Sequence, residues 1–190
     1  MTNTQRAFRA ALFAVAASGL AVGANAATMH TKSVMVGGAA MSPTKNIIEN
    51  AVNSKDHTTL VTAIKAAGLV ETLSGPGPFT VFAPTNAAFA KLPAGTVETL
   101  VKPESKDTLT KILTYHVVSG SMDSKAIAAA IKAGHGTATL TTVQGEKLTG
   151  KMMGGKLMLT DAKGGMSTVT IKDVYQSNGV IHVVDTVLMP

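Results

Sequence analysis

The sequence contains no cysteine and no tryptophan, and only 4% of its residues are aromatic. Without cysteine the chain cannot build a disulfide framework, so the folded protein must be stabilised by packing. It also lacks the thiol that would accept a lipid behind an export signal. We therefore expect a product without a lipid anchor.

Arginine is absent after residue 9, so lysine supplies most of the net charge of +6. The lysines are scattered, as Lys65, Lys111 and Lys156 illustrate, and are not interleaved with aromatic residues. Nucleic-acid-binding surfaces usually combine clustered arginine and lysine with stacking rings. The composition therefore predicts a mildly basic, solvated surface and no nucleic-acid partner.

Long apolar runs are missing except near the beginning of the chain. Arg6 and Arg9 precede an apolar run over residues 10–22, and Ala24-Asn25-Ala26 fits a small-x-small cleavage site. This pattern is typical of a secretory signal peptide over residues 1–26 and is too short for a membrane-spanning helix. We expect cleavage after Ala26 and export to the periplasm or the medium.

Motifs of enzyme chemistry are also absent. The sequence has no G-x-S-x-G, H-E-x-x-H or G-x-x-x-x-G-K-[ST] pattern. No two histidines have the i, i+2 or i, i+4 spacing that places paired metal ligands on one face of a strand or helix. The five histidines are His30, His57, His116, His135 and His182. We expect a protein that is not an enzyme and that has no cofactor and no metal site.

Methionine is the unusual component of the composition, with ten residues. Seven are candidate soft ligands for copper in an oxidising compartment: Met29, Met35, Met41, Met152, Met153, Met158 and Met166. The competing interpretation is packing, because methionine fills irregular gaps and no dense Met-x-x-Met run occurs. Cleavage after Ala27 would create a Thr-Met-His terminus able to chelate Cu(II) through His30, but Asn25 at the −3 position disfavours it. A periplasmic protein that handles copper or a small ligand is the alternative function.

The first half of the chain has helical periodicity. Residues 27–43 form a Met/Gly-rich lead that we expect to be extended or loosely packed, and Ser42-Pro43 predicts a helix start with Ser42 as its cap. Another helix is predicted from near Asp56 to Gly68. Further helices are predicted over 96–101, over 106–114 with Leu109, Ile112 and Leu113 inward, and over 124–133 with Asp123 as cap.

The second half alternates between apolar and polar residues. From Gly136 onward, "TATLTTV", "EKLTGKMM", "KLMLT" and "STVTIKDV" are predicted strands separated by glycine turns, and "VIHVVDTVL" is a final apolar strand. Helices followed by strands predict an α+β fold in one domain.

One segment, "FTVFAPTNAAFAKLPAG", passes abruptly from strand to helix. Pro84 ends the predicted strand, and Thr85 or Asn86 is placed to cap a short helix that returns Phe89 to the core. Loss of such a cap costs about 1 kcal/mol. We interpret this segment as a structural corner.

Three segments occur in a fixed order: "TVFAPTNAAF" (80–89), "YHVV" (115–118) and "NGVIHVVDTVLMP" (178–190). The set resembles a fasciclin domain, with its first box, its central Tyr-His pair and its second box, and the resemblance places the domain over residues 44–190. It implies a β-sandwich or wedge with a cluster of short helices packed on one side. It also implies adhesion or matrix interaction, with a cell-surface protein or polysaccharide as partner.

The resemblance selects two groups of residues. Tyr115 and His116 match the pair implicated in receptor contacts, but both are also candidates for burial; strand alternation would place Tyr115 with Val117 and His116 with Val118. His182 is expected in the core or at an edge, and Asp185 is expected to accept hydrogen bonds from backbone near the first box. The residues of the two boxes are Thr80, Val81, Phe82, Ala83, Pro84, Thr85, Asn86 and Phe89, and Asn178, Gly179, His182, Val183, Val184, Asp185, Leu188 and Pro190.

Overall fold

A computed structural model describes residues 32–190. The predicted signal peptide, Met29 and His30 lie outside the described residues, so the cleavage site stays a prediction. No helix between residues 32 and 190 has the length and apolar character needed to cross a membrane.

Helices and strands both contribute to the described residues, with the helices concentrated in the first part. The helices are α1 (Ile47–Ala51), α2 (Thr58–Ala67), α3 (Val70–Ser74), α4 (Asn86–Ala90), α5 (Thr96–Leu100), α6 (Lys106–Tyr115) and α7 (Ser124–Ala133), with 3-10 turns at Lys55–His57 and Pro103–Ser105. The strands are β1 (Val34–Val36), β2 (Ala39–Met41), β3 (Phe79–Pro84), β4 (Val117–Ser119), β5 (Thr137–Thr141), β6 (Lys147–Met153), β7 (Lys156–Thr160), β8 (Met166–Gln176) and β9 (Gly179–Val184). The α+β prediction is confirmed.

Seven strands form one curved sheet in the order β4-β3-β9-β8-β7-β6-β5. Strands β3 and β9 run parallel, and the other neighbours are antiparallel. The two ends of the sheet approach each other, since Val118 bridges to Thr142 and the Val143 N–H donates to the Val117 carbonyl at 2.7 Å. The sheet therefore curls around an interior of its own.

Two apolar clusters fill the protein. The helical core is formed by the β1–β2 hairpin, helices α1 to α6 and residues of β3, β4, β8 and β9, and it contains Val36, Met41, Ile47, Leu60, Ile64, Val81, Phe89, Leu109, Ile112, Leu113, Val117, Val174 and Ile181 among others. The sheet core lies inside the curled sheet and consists of Phe82, Tyr115, Val118, Ile127, Ile131, Ala138, Leu140, Leu148, Leu157, Leu159, Val169, Val184 and Leu188.

The Met/Gly-rich lead is more ordered than the sequence pattern indicates. Strands β1 and β2 pair across a Gly37-Gly38 turn in which both residues have positive φ. Val36 and Met41 are buried in the helical core, so the hairpin packs against the domain instead of lying loose. The pattern does not reveal it because each strand has only three residues.

The predicted helix start at Ser42-Pro43 is wrong. Helix α1 begins at Ile47 and is capped by Asn46, whose Oδ1 accepts from the Glu49 N–H at 2.8 Å while Glu49 Oε2 accepts from the Asn46 N–H at 2.8 Å. This capping box satisfies two backbone donors, which the isolated Ser-Pro pair does not. The Ser42 N–H donates instead to Asn50 Oδ1 at 2.9 Å.

Later helix predictions are confirmed. Helix α2 ends at Gly68, which has the left-handed conformation that glycine adopts without steric cost. Asp123 caps α7 by accepting from the Ala126 N–H at 2.7 Å. Helix α6 buries Leu109, Ile112 and Leu113 as expected.

Candidate functional site

Tyr115 lies in the interior, with 0% of its surface exposed. It is the last residue of α6, and its hydroxyl donates to the Lys147 carbonyl at 3.1 Å and accepts from the Ala162 N–H at 3.0 Å. Burial raises the pKa of the phenol, so the group stays protonated. The side chain therefore joins α6 to β6 and to the β7–β8 loop.

His116 is also buried, with 2% exposure, and both of its ring nitrogens are hydrogen-bonded. Nδ1–H donates to the Ile112 carbonyl at 2.8 Å, and Nε2 accepts from the Leu188 N–H at 3.0 Å. Burial lowers the pKa of the ring to about 4, although the Ile112 carbonyl and the Asp161 carboxylate favour the charged form. The imidazole is thus neutral near pH 7 and links α6 to the end of the chain.

The prediction that Tyr115 shares a face with Val117 is wrong. Tyr115 packs with Val118 in the sheet core, whereas Val117 packs in the helical core. The reason is that His116 has helical backbone angles, φ −81° and ψ −3°, so strand alternation begins only at Val117.

A third residue, Asp161, completes this region and was not identified from the sequence. Its Oδ1 accepts from the Lys163 and Gly165 N–H groups at 3.0 and 2.7 Å, and its Oδ2 accepts from the Met189 N–H at 3.0 Å. The only sequence signal is an aspartate shortly before the Gly164-Gly165 turn, which is typical of a side chain that bonds its own loop.

The first box contains two capping side chains that act on different helices. Thr85 caps α4, since its Oγ1 accepts from the Ala88 N–H at 3.2 Å. Asn86 instead reaches α2: its Oδ1 accepts from the Thr59 N–H at 3.0 Å, and its Nδ2 donates to the Lys55 carbonyl at 2.8 Å. Of the two candidates for the α4 cap, Thr85 fills the role.

The first and second boxes meet along the parallel β3–β9 pair. Phe82 stacks on His182 with ring centroids 5.6 Å apart. A Cβ on Gly179 would lie 2.1 Å from the Phe79 carbonyl oxygen, so only glycine fits there. The Asn178 side chain accepts from the Ile47 N–H at 3.1 Å and donates to the Leu73 carbonyl at 2.8 Å.

The remaining box residues are mostly interior. Thr80, Val81, Ala83, Val183, Val184, Phe89 and Leu188 are buried, as is Pro84 at the end of β3, and Pro190 is half-buried.

Contrary to the expectation, Asp185 accepts its backbone hydrogen bond from β8 and not from the first box. Its Oδ1 accepts from the Thr168 N–H of β8 at 2.8 Å, and its Oδ2 lies 3.9 Å from Lys91 Nζ in a partly exposed ion pair. The expectation fails because β9 lies between β3 and β8, and the carboxylate of Asp185, the residue after β9, bonds on the β8 side. At this end of β9 the contact with the first box is a backbone hydrogen bond, in which the Thr85 N–H donates to the Val184 carbonyl.

His182 belongs to a polar cluster at the start of α7. Its Nε2–H donates to the Met122 carbonyl at 2.9 Å, and its Nδ1 accepts from the Asp173 N–H at 3.3 Å. Burial lowers the pKa of His182. The Asp173 carboxylate accepts from the Ser124 N–H and hydroxyl, each at 2.5 Å. Neither Asp173 nor its link to His182 is apparent from the sequence.

Tyr175 extends this cluster to the α7 cap. Its hydroxyl donates to Asp123 Oδ2 at 3.2 Å, and burial together with the Asp123 charge raises the pKa of the phenol to about 12. The polar groups of the cluster thus position α7 against β8 and β9.

The methionines named as copper candidates do not share one environment. Met41 packs in the helical core, whereas Met35, Met152, Met153 and Met166 are exposed on strands or their ends. Over residues 32–190 no three His, Asp or Glu side chains are grouped to hold a metal. The described part of the chain therefore offers no cluster of His, Asp or Glu ligands in support of the copper alternative.

The helical core contains a small apolar cavity lined by Met41, Ile47, His57, Leu60, Ala83 and neighbouring residues. The cavity volume is ≈ 20 Å³, which leaves room for about one water molecule, since one water needs about 10–15 Å³. His57 Nδ1 bonds the Ser54 hydroxyl at 2.9 Å, whereas its buried Nε2 has no hydrogen bond. Burial lowers the pKa of the ring, although the nearby Ala83 backbone favours the charged form. Small-molecule pockets are typically about 300–1,000 Å³, so this cavity does not support the small-ligand alternative.

Known proteins resemble this chain over most of its length. A family model for the fasciclin domain matches residues 55–190. The chain is 51% identical over 159 residues to protein sll1483 of Synechocystis sp., which covers 84% of this chain and 81% of that protein. It is 37% identical over 160 residues to the cell surface glycolipoprotein MPB83 of Mycobacterium bovis, covering 82% of this chain and 64% of that protein.

A solved structure shows the same fold. The chain superposes on a FAS1 domain pair from the insect cell adhesion molecule fasciclin I with a TM-score of 0.69 and 18% identity. The match covers 78% of this chain and 52% of that one. The expected wedge-like sheet with helices packed on one side is confirmed.

Proposed function

The chain belongs to the fasciclin domain family, and we propose that it is an exported, non-enzymatic module that binds a partner at the cell surface or envelope. The observation that carries this proposal is the way four titratable interior side chains are used. Tyr115, His116, Asp161 and His182 each bond backbone groups that hold loops and helix ends together. Side chains engaged in this way stabilise the fold and are not available to react with a substrate.

The names of related proteins support a role at the cell surface. One relative is a cell surface glycolipoprotein, and the protein with the similar structure is an insect cell adhesion molecule. We extend that role to this chain, whose first 26 residues have the pattern of a signal peptide. Mass spectrometry of the processed protein should show a chain that begins at Ala27, and a retained leader would contradict export.

The partner is a cell-surface protein or polysaccharide, and we propose that it is recognised by the exposed surface and not by the Tyr-His pair. Tyr115 and His116 have almost no exposed area, so a partner can contact them only after the domain opens. Their hydrogen bonds instead explain why the pair lies where α6, β6 and the end of the chain meet.

Sedimentation with isolated cell envelopes tests the proposed function. The chain from Ala27 onward, incubated with envelopes of the producing cell, should pellet with them in a saturable manner. Protease-treated and periodate-treated envelopes distinguish a protein partner from a polysaccharide partner. A folded protein that stays in the supernatant with all three preparations would contradict envelope binding.

A further inference from the structure

The outer face of the β5–β8 part of the sheet is not covered by any helix or loop of residues 32–190. Side chains of a strand alternate between faces, and the inward set here forms the sheet core. The outward set defines what we call the threonine–lysine face: Thr137, Thr139, Thr141, Lys147, Thr149, Lys151, Met153, Lys156, Met158, Thr160, Met166 and Thr168.

The strand register arranges these side chains in rows across the sheet. One row contains Thr139, Thr149, Thr160 and Met166, because these residues pair directly between neighbouring strands. A second row contains Thr137, Lys151, Met158 and Thr168. Neighbours in a row have Cβ atoms about 5 Å apart, so hydroxyl groups repeat at short, regular intervals.

The hydroxyls of the first row are free to bind a ligand. No described residue forms a hydrogen bond with the side chains of Thr139, Thr149 or Thr160. Helical threonines behave differently; the Thr62 and Thr110 hydroxyls, for example, donate to carbonyls one turn earlier. Threonine is common in exposed strands, so the free hydroxyls alone would describe a solvated surface.

Charge distinguishes this face from an ordinary solvated one. Solvated surfaces usually mix charges of both signs, but the face carries three lysines and none of the 11 acidic residues of the chain. Acidic residues border the face without belonging to it: Asp161 bonds its loop, Asp185 accepts from the Thr168 N–H and lies 3.9 Å from Lys91 Nζ, and Glu146 accepts from Gln144. The face therefore presents positive charge among neutral hydroxyl groups.

We infer that the threonine–lysine face binds an anionic polysaccharide, an assignment that rests on the proposed function and specifies its surface and partner. The threonine hydroxyls can donate hydrogen bonds to the hydroxyl groups of such a polymer and accept hydrogen bonds from them. Lys147, Lys151 and Lys156 can form ion pairs with its carboxylate or sulfate groups. The exposed methionine side chains offer adaptable apolar contact.

Other partners fit this face less well. It has no aromatic side chain on which nucleic-acid bases could stack. It also has no leucine, isoleucine, phenylalanine or tryptophan of the kind that inserts into a lipid interface. These partners are treated below as outcomes of the test.

Binding of soluble polymers to the chain from Ala27 onward tests the assignment. The probes are polygalacturonate and dextran sulfate, with neutral dextran and phosphatidylglycerol-containing vesicles as comparisons. We expect wild type to bind one or both anionic polymers and not dextran. The double variant Lys147→Glu/Lys151→Glu should bind about tenfold more weakly, as expected when repulsion replaces two ionic contacts.

The matched control is Lys65→Glu/Lys111→Glu, which makes the same change in net charge on exposed positions of α2 and α6. It should bind within about twofold of wild type. Thr149→Val removes one hydroxyl without changing charge and should weaken binding about threefold. Unchanged melting temperatures establish that the variants are folded.

Several results would overturn the assignment. Equal loss in the two double variants would mean attraction by net charge alone, and tighter binding to vesicles than to polymers would make an anionic membrane the partner. Unchanged polymer binding by Thr149→Val would show that the hydroxyl row does not contact the polymer. Envelope binding without polymer binding would reject this face and leave the proposed function standing, whereas polymer binding without envelope binding would reject the proposed function alone.

Discussion

The helical core and the sheet core are stabilised in different ways. The helical core is apolar, and His57 at its cavity leaves one ring nitrogen without a hydrogen bond. In and beside the sheet core, Tyr115 and His116 use every polar side-chain atom to bond backbone groups. The comparison suggests that the helical core tolerates changes in volume, whereas the sheet side depends on hydrogen bonds that a substitution leaves unpaired.

The largest effect is expected for Tyr115→Ala. The change removes a fully buried ring and leaves the Lys147 carbonyl and the Ala162 N–H without their partner. The free energy of unfolding should fall by about 3–5 kcal/mol in urea denaturation. Leu60→Ala, beside the cavity of the helical core, should cost about 2 kcal/mol, and a larger cost than that of Tyr115→Ala would reverse the comparison.

The next effect is a pH dependence that originates at His116. Its pKa is about 4 in the folded protein and about 6.5 in the unfolded chain. The unfolded chain therefore takes up the proton first, and the stabilisation, complete above pH 6.5, is lost as pH falls toward 4.

The measurement compares urea denaturation of wild type and His116→Gln at pH 7.5 and pH 5. Wild type should lose about 2 kcal/mol more than the variant over this interval. His57 and His182 also have lowered pKa values and contribute equally to both proteins. The same pH dependence in the two proteins would show that His116 is not a buried neutral group.

A matched pair of alanine substitutions sharpens the comparison of the two cores. Ala83 is on β3 and lines the cavity, so Ala83→Val should fill space and stabilise the protein by up to about 1 kcal/mol. Ala138 is buried on β5 in the sheet core, where Ala138→Val should overpack and cost about 1–2 kcal/mol. Thermal melts that shift in the same direction for both variants would contradict the proposed difference.

The smallest effects are expected at the first box. Asn86→Ala and Thr85→Ala should each cost about 1 kcal/mol, because each removes a helix cap. Amide hydrogen exchange separates them: Asn86→Ala should accelerate exchange of the Thr59 amide, and Thr85→Ala that of the Ala88 amide. Faster exchange of the Ala88 amide in Asn86→Ala would contradict this assignment and show that Asn86 caps α4.

Local features of this fold were predictable from the sequence. The alternating strands with glycine turns, the Asp123 cap and the end of α2 at Gly68 depend on neighbouring residues, and the structure has them where the patterns indicate. The order of the two boxes and the Tyr-His pair was sufficient to predict the fold family.

Features that depend on distant partners were not predictable. Asn86 has the pattern of a local cap but bonds Thr59, 27 residues earlier, and Asp185 bonds Thr168 on the neighbouring strand. Tyr115 does not share a face with Val117 as predicted, because the helical conformation continues through His116. In each case the local residues allow two arrangements, and tertiary packing selects one.

The most direct test of the central claim is a paired measurement on Tyr115→Phe. If the Tyr-His pair stabilises the fold and the partner binds elsewhere, loss of one buried hydroxyl should lower the melting temperature by several degrees. The folded variant should still sediment with envelopes as wild type does. An unchanged melting temperature with lost envelope binding would contradict the account and make Tyr115 a recognition residue.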